Sequence, residues 1–177
     1  PREIVRIPTP GYVRELAFSG NHLYLADGWK GLRIFDLSDI ENPVETSVMK
    51  THKRAEAIAL AGDMAYIAET SEGFTIINVS DPANPVEIGH ASVTGYARGV
   101  AISGNYAYIA AGIEGLRVFD VSDPANPVET GFFDTEDYAA NVAVQGHYAF
   151  VADDSKGVRV IDVTDPANPS EVGFFDI

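Results

Sequence analysis

The sequence predicts an all-β fold: a β-propeller of four 42-residue, four-stranded blades, preceded by one extra N-terminal outer strand. Three observations lead there. The stretch GLRVFDVSDPANPVETGFF, Gly115 to Phe133, returns with small changes at Gly31, Gly73 and Gly157, a spacing of 42 residues without insertion or deletion. Each period holds four strand-like segments separated by Gly, Pro, Asn and Asp turns, which leaves no room for a helix. The first strand of every period is apolar on both sides, bulky on one and alanine on the other. Such a strand is buried on both faces, as when twisted sheets pack face to face around an axis. A β-solenoid is the competing architecture, but its coils are shorter and need fewer hairpin turns.

Taken in order, residues 1–9 (PREIVRIPT) align one period before Pro43 to Thr51, so Glu3, Ile4, Val5, Arg6 and Ile7 read as an outer strand without a blade of its own. Blades are expected over 10–51, 52–93, 94–135 and 136–177. Within a blade the strands are called a to d, from the innermost outward. Strand a carries the pairs Leu16/Phe18, Ile58/Leu60, Val100/Ile102 and Val142/Val144 around Ala17, Ala59, Ala101 and Ala143. Strand b is aromatic and β-branched, as in NYAYIAA; strand c alternates, as in GLRVFDV; strand d follows a proline turn, as in PVETGFFD.

The turns have their own chemistry. Gly20, Gly62, Gly104 and Gly146 stand in the a-b hairpin, where a positive φ is needed. Asp36, Asp120 and Asp162 end strand c, and Asp39, Asp81, Asp123 and Asp165 open the proline turn; Asx turns account for them better than metal or acid/base chemistry.

Composition bounds the function. With 46% hydrophobic and 21% charged residues the chain can bury a core. A net charge of −14, from 26 acidic and 12 basic residues, repels phosphate backbones, so nucleic acid is not an expected partner. No apolar run is long enough to insert into a membrane as a helix. Cysteine is absent, which removes disulfides, thiolate catalysis and Cys-based metal sites. The chain begins with Pro1 rather than Met, so a leader or longer upstream region is expected to have been removed or left out.

The strand-c segments LRIFD, FTIIN, LRVFD and VRVID, each trailed by an S/T-D-P-x-N-P turn or a variant of it, resemble the core of the LVIVD repeat. Asn78 in the second copy and Ile40-Glu41 in the first depart from that pattern. The resemblance implies propeller blades and a place at the surface of, or outside, a bacterial or archaeal cell. It names no activity.

Comparison of the four copies separates scaffold from candidate surface. The a-b and c-d turns barely vary, whereas the d-a and b-c loops differ most, and in a propeller these two sets emerge on one face at the channel mouth. That face would present Tyr12, Arg14, Trp29, Lys30, His52, Lys53, Arg54, Tyr96, Arg98, Tyr138, Asp153 and Asp154 as a site for another protein or a surface glycan. Tyr12, Tyr96 and Tyr138 share one repeat position and are equally readable as packing residues. No metal, cofactor or catalytic residue is expected: the four histidines fall at four different repeat positions and no nucleophile elbow exists. Calcium held by Asp27, Glu69, Asp153 and Asp154 is a weaker alternative, because single carboxylates on separate blades usually stay solvated. The competing class is a polysaccharide hydrolase or lyase using Arg14, Glu56, Arg98 and Asn141.

Strand counting adds an expectation about assembly. Four complete sets leave Glu3 to Ile7 over, and an unpaired apolar strand is costly and adhesive. Self-association or membership of a longer array follows, either as eight blades from two chains or with Glu3 to Ile7 exchanged onto the edge of a neighbour's blade.

Overall fold

The computed structural model describes residues 2–176. Its strands form four antiparallel sheets, each in simple sequence order. The first sheet contains β1 (Glu15–Ser19), β2 (His22–Ala26), β3 (Leu32–Asp36) and β4 (Val44–Met49); the second β5 (Ala57–Ala61), β6 (Met64–Ala68), β7 (Phe74–Asn78) and β8 (Val86–Ala91). The third contains β9 (Gly99–Ser103), β10 (Tyr106–Ala110), β11 (Leu116–Asp120) and β12 (Val128–Phe133); the fourth β13 (Ala139–Gln145), β14 (Tyr148–Asp153), β15 (Val158–Asp162) and β16 (Ser170–Phe175). The one helical element among the described residues is a 3-10 turn, Asp154–Lys156.

Local chemistry explains the repetition. In the a-b hairpins Gly20, Gly62, Gly104 and Gly146 take φ between 55° and 61°, and a Cβ there would meet nothing, so the requirement is conformational alone. In the proline turns Asp39 Oδ1 accepts the Glu41 backbone N–H at 3.0 Å and Oδ2 accepts the Asn42 amide at 2.8 Å. Asp81, Asp123 and Asp165 repeat both contacts. Strands c and d lose register at one shared place, after Ile34, Ile76, Val118 and Val160, where a bulge re-aims strand d.

Neighbouring blades pack face to face. The alanine face of one blade, for example Ala17, Tyr24, Ala26, Leu32 and Ile34, receives the bulky face of the next, Ile58, Leu60, Ile67, Ile77 and Val79. The second and third junctions repeat this arrangement. Ile67, Ile76 and Ile77 are fully buried. Each contributes about 1.5–3 kcal/mol of apolar burial. Innermost strands β1, β5, β9 and β13 stack in sequence, and backbone bridges Gly28 to Ala55, Thr70 to Ala97 and Gly112 to Ala139 lock each pair of blades.

The four blades form an open arc. Among the described residues no comparable packing returns β13 to β1, and no hydrophobic cluster joins the fourth sheet to the first. Leu16 and Phe18 stay 52% and 61% exposed, and Phe175 stays 65% exposed, although their counterparts line the internal junctions.

One expectation is corrected here. Residues 2–9 take part in no strand; each strand d pairs with a strand c, and no described strand c lies beside these residues. Ile7 instead packs against Leu23, Leu25 and Phe35 on the free face of the first blade.

Candidate functional site

The b-c loops of the first three blades and the d-a loops that open the second, third and fourth converge on a cavity of about 530 Å³. That size is in the range of small-ligand sites. From the b-c turns come Trp29, Thr70, Ser71 and Ile113; from the d-a loops come Lys53, Arg54, Tyr96, Arg98 and Tyr138. Trp29 is 70% exposed. With Arg54 it also borders a second cavity of about 260 Å³ that includes Tyr12, Arg14 and Gly28. Trp29 therefore stands between two adjoining hollows, largely exposed to solvent.

Glu56 organises the cations. Its side chain is 8% exposed and is flanked by Arg14 Nε at 3.7 Å, Arg98 Nη1 at 3.6 Å, and Arg54. One carboxylate thus holds three guanidinium groups from three blades, leaving local positive charge on a chain whose net charge is −14. Arg98 also lies 5.5 Å from the Tyr138 ring centroid, which fixes one wall of the larger cavity. Lys53 pairs with Glu72 at 3.4 Å.

Tyr12, Arg14, Trp29, Lys53, Arg54, Tyr96, Arg98 and Tyr138 line the two hollows. Lys30 is exposed nearby but lines neither. His52 faces away to Glu87, 3.1 Å from its carboxylate, and stacks edge-on with His90. Its Glu87 bond holds its pKa above the usual histidine value.

Asp153 corrects an expectation. It is fully buried, with Arg159 Nε 3.3 Å from its carboxylate, so no ligand on the loop face can reach it. Asp27 is likewise buried beside Arg33 at 3.7 Å. Both acids sit six residues ahead of a strand-c arginine that neutralises them. Asp154 is exposed at the far end of the arc, outside both hollows. Among the described residues no group of three or more His, Cys, Asp or Glu side chains is arranged to hold a metal ion. Of the proposed catalytic set, Arg14, Glu56 and Arg98 meet, whereas Asn141 spends its Oδ1 on the Val142 N–H at 2.8 Å and lines a groove on the fourth blade.

Ile113, Thr70 and Ser71 were not singled out by sequence. Ser71 and Ile113 hold the repeat position of Trp29, and that equivalence was the available signal.

The LVIVD repeat model matches residues 10–51, 53–92, 94–135 and 137–177. The chain belongs to the LVIVD-repeat family. No curated protein shows significant sequence similarity to it. Among solved structures, the computationally designed Ika4 protein superposes with a TM-score of 0.71 at 12% identity, over 90% of this chain and 97% of that one. The designed Ika8 protein gives 0.71 at 12% identity, over 90% of this chain and 48% of that one. A functionally unknown protein from Desulfotomaculum acetoxidans gives 0.71 at 16% identity, over 94% and 57%. The chain therefore spans about half the length of two of these three. At such identities the likeness concerns the fold, and it agrees with a propeller arrangement of blades.

Proposed function

We propose that this LVIVD-repeat chain is a non-enzymatic recognition module, placed outside or on the surface of a cell, that binds an acidic glycan through its loop face. The observation supporting this reading is the pairing of exposed Trp29 with three arginines gathered around Glu56. A sugar ring offers an apolar C–H face to Trp29, Tyr96 or Tyr138. A uronate or other carboxylate offers the planar acceptor that a guanidinium pairs with best. In a chain of net charge −14, an arginine cluster beside aromatic rings is a local reversal of sign suited to an anionic ligand.

The test is calorimetric titration against a panel of acidic and neutral surface polysaccharides. Trp29→Ala and Arg54→Ala should each weaken binding of the acidic members at least about tenfold with the unfolding midpoint little changed. Equal binding of neutral and acidic members would remove the arginine half of the reading. Binding of a protein partner alone would replace the glycan. Turnover of any panel member, abolished by Arg98→Ala, would instead establish a hydrolase or lyase.

A further inference from the structure

We infer that a second copy of this chain closes the open arc, the bulky free face of each first blade docking on the alanine face of the other copy's fourth blade to give one eight-bladed ring.

Both end faces are built from the repeat positions that form the three internal junctions. On the first blade these are Leu16, Phe18, Leu23, Leu25, Phe35 and Leu37; on the fourth they are Ala143, Phe150, Ala152, Val158, Val160 and Phe175. The two ends depart from the repeat in opposite senses. Where internal junctions have Ala65, Ala107 and Ala149, the first blade has Leu23, and Phe18 replaces Leu60, Ile102 and Val144. On the fourth blade Val158 replaces Leu32, Phe74 and Leu116, and Phe150 lacks the hydroxyl of Tyr24, Tyr66 and Tyr108. One end has grown and the other has shrunk, as volume-matched partners must.

Gly173 is a second, independent observation. At its repeat position a Cβ on Gly89 would run into the Pro124 carbonyl, and one on Gly131 into the Pro166 carbonyl, because the next blade's proline turn lies against strand d. In the first blade Ser47 meets the same turn by donating its hydroxyl to the Pro82 carbonyl at 2.7 Å. A Cβ on Gly173 would meet nothing, and its φ is not positive. Nothing among the described residues requires glycine there. The turn that would lie against it is Asp39-Ile40-Glu41 of the second copy. Asp154 behaves similarly: it keeps the positive φ, 39°, of the bridging position held by Gly28, Thr70 and Gly112, without a blade to bridge to.

Copy number follows from geometry. Propellers close with four to eight blades. This arc does not close at four, two copies give eight, and three exceed the range. Ile7 packs on Leu23, Leu25 and Phe35, part of the docking face, so residues 2–9 must step aside for the second copy.

The experiment is sedimentation equilibrium of the full chain, with circular dichroism to confirm folding. Twice the 19.0 kDa chain mass is expected. Phe18→Glu, at an exposed position, and Gly173→Glu, at a half-buried position where a Cβ meets nothing, should each weaken the dimer by at least about a hundredfold without loss of strand signal. Deleting residues 1–9 should tighten it. Added salt should also tighten it, since two chains of charge −14 meet through apolar faces. A persistent monomer, a mass beyond the dimer, or unchanged mass in Gly173→Glu would overturn the inference. Loss of the dimer on deleting residues 1–9 would also overturn it, in favour of exchange of Glu3 to Ile7 between chains.

Discussion

Glu56 on the second blade lies 3.6 Å from Arg98 on the third, and the same carboxylate also holds Arg14 on the first. The cluster therefore ties three blades together at the channel mouth. In Glu56→Gln, the guanidinium groups lose their shared counter-ion in a partly desolvated place. A loss of about 1–3 kcal/mol is expected in denaturant unfolding. Because the arginines are partly exposed, salt should recover part of the loss by screening their mutual repulsion. A salt-independent loss would mean that Glu56 acts through packing alone.

Arg159 is the opposite case, a buried charge whose partner is fully buried too. It lies 3.3 Å from Asp153, 3.1 Å from Glu136 and 3.6 Å from Glu171, and stacks on Phe174. Arg159→Met keeps the apolar stem but leaves Asp153 uncompensated, which costs about 3–5 kcal/mol. The double variant Arg159→Met, Asp153→Leu should regain most of it. A single variant as stable as the parent would show that Arg159 is not what compensates buried Asp153.

Thr70 takes the bridging φ of 47° with a β-branched side chain, where Gly28 and Gly112 take 58° and 65°. The left-handed conformation costs a non-glycine residue about 1–2 kcal/mol. The greater freedom of an unfolded glycine gives back roughly 0.5–1 kcal/mol. Thermal unfolding of Thr70→Gly should therefore show a slight gain or no change. Gly112→Thr should lose clearly more than 1 kcal/mol, about the conformational cost alone, because its Cβ also meets the Tyr138 ring at 3.0 Å.

The fold was legible because the signal is periodic. Four copies of one pattern average out local ambiguity, and Ala17, Ala59, Ala101 and Ala143 beside bulky neighbours reveal sheets stacked on both sides. The convergence of Trp29, Arg54, Tyr96, Arg98 and Tyr138 was legible from variation among copies in two loop sets. Asp153 was misread as exposed because its burial depends on Arg159, six residues on and one strand over. The residues ahead of the first blade were misread because a strand depends on its neighbour: Glu3 to Ile7 carry strand-d chemistry, but strand d forms only where a strand c lies beside it.

Glu45, Glu129 and Glu171 on strand d each pair with the strand-c arginine of their own blade, Arg33, Arg117 or Arg159. In the second blade Thr75 takes the arginine's place, and His52 takes up Glu87 instead. That substitution makes one blade titratable near neutrality. The Glu87 bond raises the His52 pKa, so the pair stabilises the fold fully below the unfolded histidine value of about 6.5. That contribution is lost as pH rises through the folded value. The turn carboxylates work in the other direction. Asp36, Asp120 and Asp162 are held below the usual range by hydrogen bonds from Ser38, Ser122 and Thr164, and Asp39 and Asp81 by Asn42, Asn84 and backbone N–H groups. Their contribution is present above the unfolded value of about 3.9 and is lost as pH falls through the folded values. Denaturant unfolding should therefore show stability falling on the acid side below about pH 4, with a smaller decline on the alkaline side of the His52 transition. Glu87→Gln should remove that alkaline decline and lower the His52 pKa followed by proton NMR, leaving the acid limb unchanged. An alkaline decline that survives Glu87→Gln would assign it to another group.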